Sequence, residues 1–231
     1  MKHLRKLAED FPKLKIVLEH ATTKEAVECV SRRMIQSHWP DTDRSLSIFQ
    51  VKSLPDNVAC TITAHHLLLT IDSVPAQPFH FCKPIAKEPV DRAALQEVVA
   101  SGHPRFFLGS DSAPHPIVNK IPKMPSSYLS HEVGPIEGNG PQPCAAGVYT
   151  SPILLPLLAN TFEKLGALDK LAGFASTNGR AFYGMQREGD SVKLRRVENG
   201  GKVPAFYKSA ERGVDVVPFM AGEALGWEIV A

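Results

Sequence analysis

"VACTITAHHLLLT", residues 58–70, is mostly apolar and rich in β-branched side chains. A strand with one wet face alternates polar and apolar residues; this run does not, so it is expected to be a strand buried on both faces. Upstream, "KLKIVLEH" (13–20) is a shorter β-type run ending in Glu19 and His20, and residues 3–10 read as the end of a helix. Between the two runs, "TTKEAVECVSRRMIQS" (22–37) carries Ala26, Val27, Val30 and Met34 at helical spacing, with Thr22 or Thr23 as N-cap. Residues 39–57 are polar and Pro-bearing and predict a loop. Downstream, "FHFCKPIA" (79–86) starts like a strand, but Pro84 argues against a central one. "VDRAALQEVVASG" (90–102) is an amphipathic helix that Asp91 is placed to cap and Gly102 to end. "RFFLGSD" (105–111) is the third strand. The order β-α-β-(loop)-α-β, with near-continuous apolar strands, implies parallel strands covered by helices, an α/β fold.

Residues 117–149 are rich in Pro and Gly and read as a long loop over a site. "SPILLPLLANTFEKLGALDKLAGFAS" (151–176) is helical, with Pro156 in an early turn. "GRAFYG" (179–184), "SVKLRRV" (191–197) and "VDVVPFMAGEALGWEIV" (214–230) predict turns and short strands. Only three parallel strands are visible. An open sheet of that size leaves exposed edges, so the chain is expected to begin in the middle of a fold.

Composition narrows the function classes. The 231 residues are 43% hydrophobic and 22% charged, enough apolar material for a sizeable core. The formal net charge is +2 with no basic cluster, which gives nucleic acid little support. No apolar run reaches the length of a membrane span, and the charged N-terminus lacks the apolar stretch of an export signal. Cys29, Cys60, Cys82 and Cys144 form no CxxC pair and read as reduced, buried thiols of a cytoplasmic protein.

The chemistry-bearing residues gather where the strands end. His20 closes the first strand, His65 and His66 the second, and Asp111 the third. In α/β barrels such positions carry function. Imidazole and carboxylate suit zinc, and a carboxylate beside a metal can take and pass the proton of activated water. His20 and Asp111 are therefore candidate metal ligands, with Asp111 also the proton carrier. Single histidines at strand ends are more often polar caps, and Asp in "GSDS" more often a turn residue. His65 and His66 would point to opposite faces of a continuing strand, so packing or supporting roles are expected for both.

"KIVLEHATTKEAVE", "CTITAHHL", "FCKPIAK", "FFLGSDSAPH" and "CAAGVYTSP", followed by "NGRAFYG" and "VPFMAGEALGW", resemble in order the second half of dihydroorotase, of the monofunctional class in the amidohydrolase superfamily. The resemblance implies the C-terminal portion of a (β/α)8 TIM-type barrel, about the last three strands, plus a C-terminal extension. Residues 1–160 would be the last βα units, and 161–231 the extension of the same domain. It implies a binuclear zinc site and the reversible interconversion of dihydroorotate and N-carbamoyl-L-aspartate in de novo pyrimidine synthesis. His20 in "LEH" is similar to a metal-ligand histidine, and Asp111 in "GSDSAPH" to the aspartate that binds metal and moves the proton. His115 would bind the substrate carboxylate. Lys83 and Ala146 would touch substrate through their main chains.

The departures are as informative. No His-x-His occurs in the chain, although the family carries one on its first strand. The bridging lysine, a further histidine ligand and the substrate-gripping arginine and asparagine lie upstream of the resemblance. Two readings follow: part of a dihydroorotase, incomplete and inactive alone, or a non-catalytic truncated homologue that binds a partner barrel chain. A different cyclic-amide hydrolase is disfavoured by "GSDSAPH" and "CAAG" together. A homodimer is expected by analogy, and neither nucleic acid nor membrane as partner.

Overall fold

The computed structural model describes residues 1–31, 54–75, 77–121, 144–186, 189, 191–198, 200–209, 211 and 213–230. Helix α1 (Lys2–Asp10) leads into β1 (Ile16–Leu18), α2 (Lys24–Val30), β2 (Val58–Ile62), α3 (Pro89–Ala100) and β3 (Phe106–Leu108). The three strands form a parallel sheet in the order β1-β2-β3, with Leu18 beside Cys60 and Ile62 beside Leu108. All five residues of β2 are buried, as its unalternating sequence requires. Val27 and Val30 of α2, and Leu95, Val98 and Val99 of α3, supply the covering layer.

Side-chain caps fix where the helices begin. Thr23 is the N-cap of α2, its hydroxyl accepting from Ala26 N at 3.1 Å. Asp91 sits three residues inside α3 rather than at its N-cap, which is Glu88. Its carboxylate accepts from Glu88 N at 3.2 Å and from Lys24 N at 2.8 Å, so one side chain ties the starts of both helices. Gly102 follows α3 with φ 69°, as its position predicted.

Four elements differ from the sequence reading. β2 stops at Ile62 instead of running to residue 70, because the Thr63 hydroxyl accepts from His66 N at 3.1 Å and turns the chain. Helix α2 stops at Val30, where Ser31 is extended (ψ 138°). Met34 and most of the 39–57 loop lie outside the described residues. "GRAFYG" lies in α6 (Asn178–Tyr183), a helix ended by Gly184 at φ 72°. Its six residues are too few to show a period, and its start is anchored by Asn178 Nδ2 donating to Phe106 O at 3.0 Å. Of the 117–149 loop, residues 117–120 form a helical turn, α4 (Ile117–Lys120), and 122–143 lie outside the described residues.

Past the sheet, α5 (Leu154–Lys164) buries Leu157, Leu158 and Phe162, with Pro156 in its first turn. An antiparallel ribbon pairs β4 (Lys193–Arg196) with β7 (Trp227–Val230), and a smaller one pairs β5 (Tyr207–Lys208) with β6 (Asp215–Val216). The first ribbon docks on α5: Trp227 Nε1 donates to Glu163 at 3.1 Å, and Gly226 N to Asn160 Oδ1 at 3.0 Å. Arg105, buried just before β3, donates to the carbonyls of Val30, Leu54, Pro55 and Val58. No helix among the described residues is long and apolar enough to cross a membrane.

Candidate active site

The parallel sheet sends all three strands toward one edge, and the candidate residues emerge there. His20 lies two residues past β1 and Asp111 three past β3, on either side of β2. Two strand spacings separate β1 from β3, roughly 9–10 Å of backbone, a gap two side chains can span from both sides. His20 has φ 38° and Asp111 φ 41°, the left-handed region that costs a residue with a Cβ of order 1 kcal/mol or more. Such strain persists only where neighbours over-determine it.

Thr61, on the central strand, is that neighbour for β1. Its hydroxyl accepts from His20 N at 2.7 Å and donates to the Glu19 carboxylate, and its carbonyl accepts from Ala21 N at 2.9 Å. It also crowds β3, since a Cβ on Gly109 would come within 2.9 Å of Thr61 Cβ. The glycine lets the chain turn closely past Thr61 toward Asp111. Neither the His20 imidazole nor the Asp111 carboxylate is engaged by a hydrogen bond or ion pair from another described residue. Both donors are free, and as a nitrogen–oxygen pair they suit zinc.

The "SDSAPH" turn is stitched to residues 144–151. Ala113 N donates to Val148 O at 3.0 Å, and the Ser112 hydroxyl accepts from Thr150 N and Ser151 N, each at 3.0 Å. Nε2 of half-buried His115 lies 2.9 Å from Ala146 O, so two of the candidate substrate contacts touch each other. Gly147, at φ 154°, passes so close that a Cβ would lie 2.6 Å from Ala113 O. Lys83 is exposed, beside a cis peptide to Pro84.

Sequence reasoning missed Lys120. Its ammonium is buried and donates to Phe81 O at 3.0 Å, Ala145 O at 2.8 Å and Gly147 O at 2.8 Å. It thereby pins the backbones that carry Lys83 and Ala146. Burial pushes its pKa below the ordinary lysine range. A lysine in a polar loop gives no sign of three carbonyls waiting for it. Thr61 could have been found, as a hydroxyl in an otherwise apolar run.

His65 and His66 lie in the turn after β2, and both are buried. His66 Nδ1 is 2.8 Å from the Thr63 hydroxyl and its Nε2 2.9 Å from Pro84 O. Cys82 Sγ lies 3.5 Å from His66 Nε2 and 3.5 Å from Pro84 O. Burial, with the nearby charges of His66 and His20, pushes the His65 imidazole down to about 3. An apolar cavity lined by Leu155, Leu171, Ala175, Val192 and Trp227 lies under the β4–β7 ribbon and includes none of these residues.

No family model matches the sequence. The dihydroorotase of Mycosarcoma maydis is 45% identical, over 99% of this chain and 60% of its own length. The crystal structure of Saccharomyces cerevisiae dihydroorotase in complex with 5-fluoroorotic acid superposes with a TM-score of 0.74 at 35% identity, covering 99% of this chain and 55% of that one. Dihydroorotase from Campylobacter jejuni gives 0.73 at 34% identity, covering 100% of this chain and 55% of that one. The chain spans about half the length of the relatives it matches. By sequence and by fold, then, it is dihydroorotase-like from one end to the other and corresponds to about half of such an enzyme.

Proposed function

We propose that the chain is the C-terminal part of a dihydroorotase and contributes the last three strands of a (β/α)8 barrel. Residues 1–160 are the final βα units in this reading, and 161–231 an extension of the same domain. The observation that carries it is the pair of left-handed residues, His20 and Asp111, leaving the two strands that flank β2. Strain at two chemistry-bearing positions beside one strand marks a site. The yeast relative's complex with 5-fluoroorotic acid, a pyrimidine acid, supports the ligand class.

His20 and Asp111 would hold zinc, in the family a binuclear centre completed by upstream residues. When bound, zinc polarises the ring amide carbonyl and eases deprotonation of water. Asp111 takes that proton on its carboxylate and returns it to the departing ring nitrogen as the amide C–N bond breaks, giving N-carbamoyl-L-aspartate. His115 grips the substrate carboxylate. Its Nε2–H donates to Ala146 O, which fixes the ring beside that main chain. Main-chain groups at Lys83 and Ala146, held by Lys120, orient the ring. A homodimer and a cytoplasmic location complete the reading.

The test is zinc content and dihydroorotate hydrolysis, measured on the chain alone and mixed with the upstream half of a dihydroorotase. The mixture is expected to gain both, and Asp111→Ala to abolish turnover. A mixture that forms a stable complex yet neither retains zinc nor turns over would overturn the reading.

A further inference from the structure

We propose that His65, His66 and Cys82 form a second, buried metal site for a zinc-class divalent ion, distinct from His20 and Asp111. One ligand atom from each of the three lies within 4.8 Å of the others. In a tetrahedral zinc site with Zn–N about 2.05 Å and Zn–S about 2.3 Å, nitrogen and sulfur stand about 3.6 Å apart. Cys82 Sγ and His66 Nε2 are 3.5 Å apart. Pro84 O, 2.9 Å from that nitrogen and 3.5 Å from that sulfur, accepts from both groups in the metal-free chain and gives up those hydrogen bonds when an ion enters. The Thr63 hydroxyl, 2.8 Å from Nδ1, orients the His66 ring from behind, as oxygen partners of metal-bound histidines do.

His66 on its own could be a satisfied core histidine. His65 could not: it is 0% exposed, yet neither ring nitrogen has a hydrogen-bond partner among the described residues. Buried polar atoms are almost always matched, and a metal ion would match this one. Two neutral imidazoles and one thiolate are a borderline-soft set that selects zinc over magnesium or calcium. On binding, the Cys82 thiol proton passes to solvent, and the His66 proton moves from Nε2, where Pro84 O accepts it, to Nδ1, where the Thr63 hydroxyl accepts it. Unlike the His20–Asp111 pair, this set contains sulfur, which gives the two sites different optical signatures.

Cobalt(II) titration of the metal-stripped, reduced complex of the chain with the upstream half of a dihydroorotase tests this. The expected result is a near-ultraviolet thiolate-to-cobalt charge-transfer band that saturates. Cys82→Ser should abolish it with the circular dichroism unchanged, while Cys144→Ser, His20→Ala and Asp111→Ala keep it. Cobalt uptake without that band, or a band that survives Cys82→Ser, would overturn the proposal. Loss of the band in Asp111→Ala would overturn the separateness of the two sites. Failure of the dihydroorotase reading shows elsewhere, as missing turnover, and leaves this band untouched.

Discussion

Thr61 shows how one hydroxyl can hold two neighbouring strand ends in place. It accepts the His20 amide and donates to Glu19, and its Cβ sits where only a glycine can pass at 109. Thr61→Val keeps the shape and strands the His20 N–H. The expected cost is about 1–3 kcal/mol in urea unfolding of the chain reconstituted with its upstream half, together with weaker zinc retention there. Lys120 bears more, since its ammonium satisfies three carbonyls at once. Lys120→Met should cost about 3 kcal/mol or more. Hydrogen exchange should quicken at residues 145–148 while β2 amides stay protected. Equal loss of protection in β2 would mean that Lys120 supports the whole fold instead of this segment.

The elements were legible where periodicity and burial agree. β2 and α3 announce themselves, one by an apolar run interrupted only by Thr61, the other by Ala94, Leu95, Val98 and Val99 on a single face. Misplaced ends came from side chains that compete with the backbone: Thr63 turning β2 early, and Asp91 acting from inside α3. Asp91 also makes α2 and α3 a unit, because it takes Lys24 N as well. Asp91→Ala should therefore cost more than an ordinary cap, about 2 kcal/mol against a usual 1, read as a lowered thermal midpoint of the chain reconstituted with its upstream half. That His20 and Asp111 follow strand ends could be read from the sequence, because apolar runs stop just before them. Lys120 and the His65–His66–Cys82 grouping could not, because they depend on loops far apart in sequence meeting in space.

As a whole, the molecule presents a sheet whose outer strands, β1 and β3, pair with no strand among the described residues except β2. Unpaired parallel edges flanked by buried apolar residues template association. The chain alone is expected to self-associate or to lack fixed tertiary packing, seen as concentration-dependent size and weak near-ultraviolet dichroism. A monodisperse monomer with one sharp melt would contradict this. The tail offers an independent optical handle. Trp227 of β7 bonds to Glu163 of α5, whereas Trp39 lies outside the described residues. With Trp39 replaced by phenylalanine, indole emission would report one event, the ribbon leaving its helix. Comparing that colour change with the loss of sheet signal would separate the undocking of the tail from the melting of the strands that end in the candidate site.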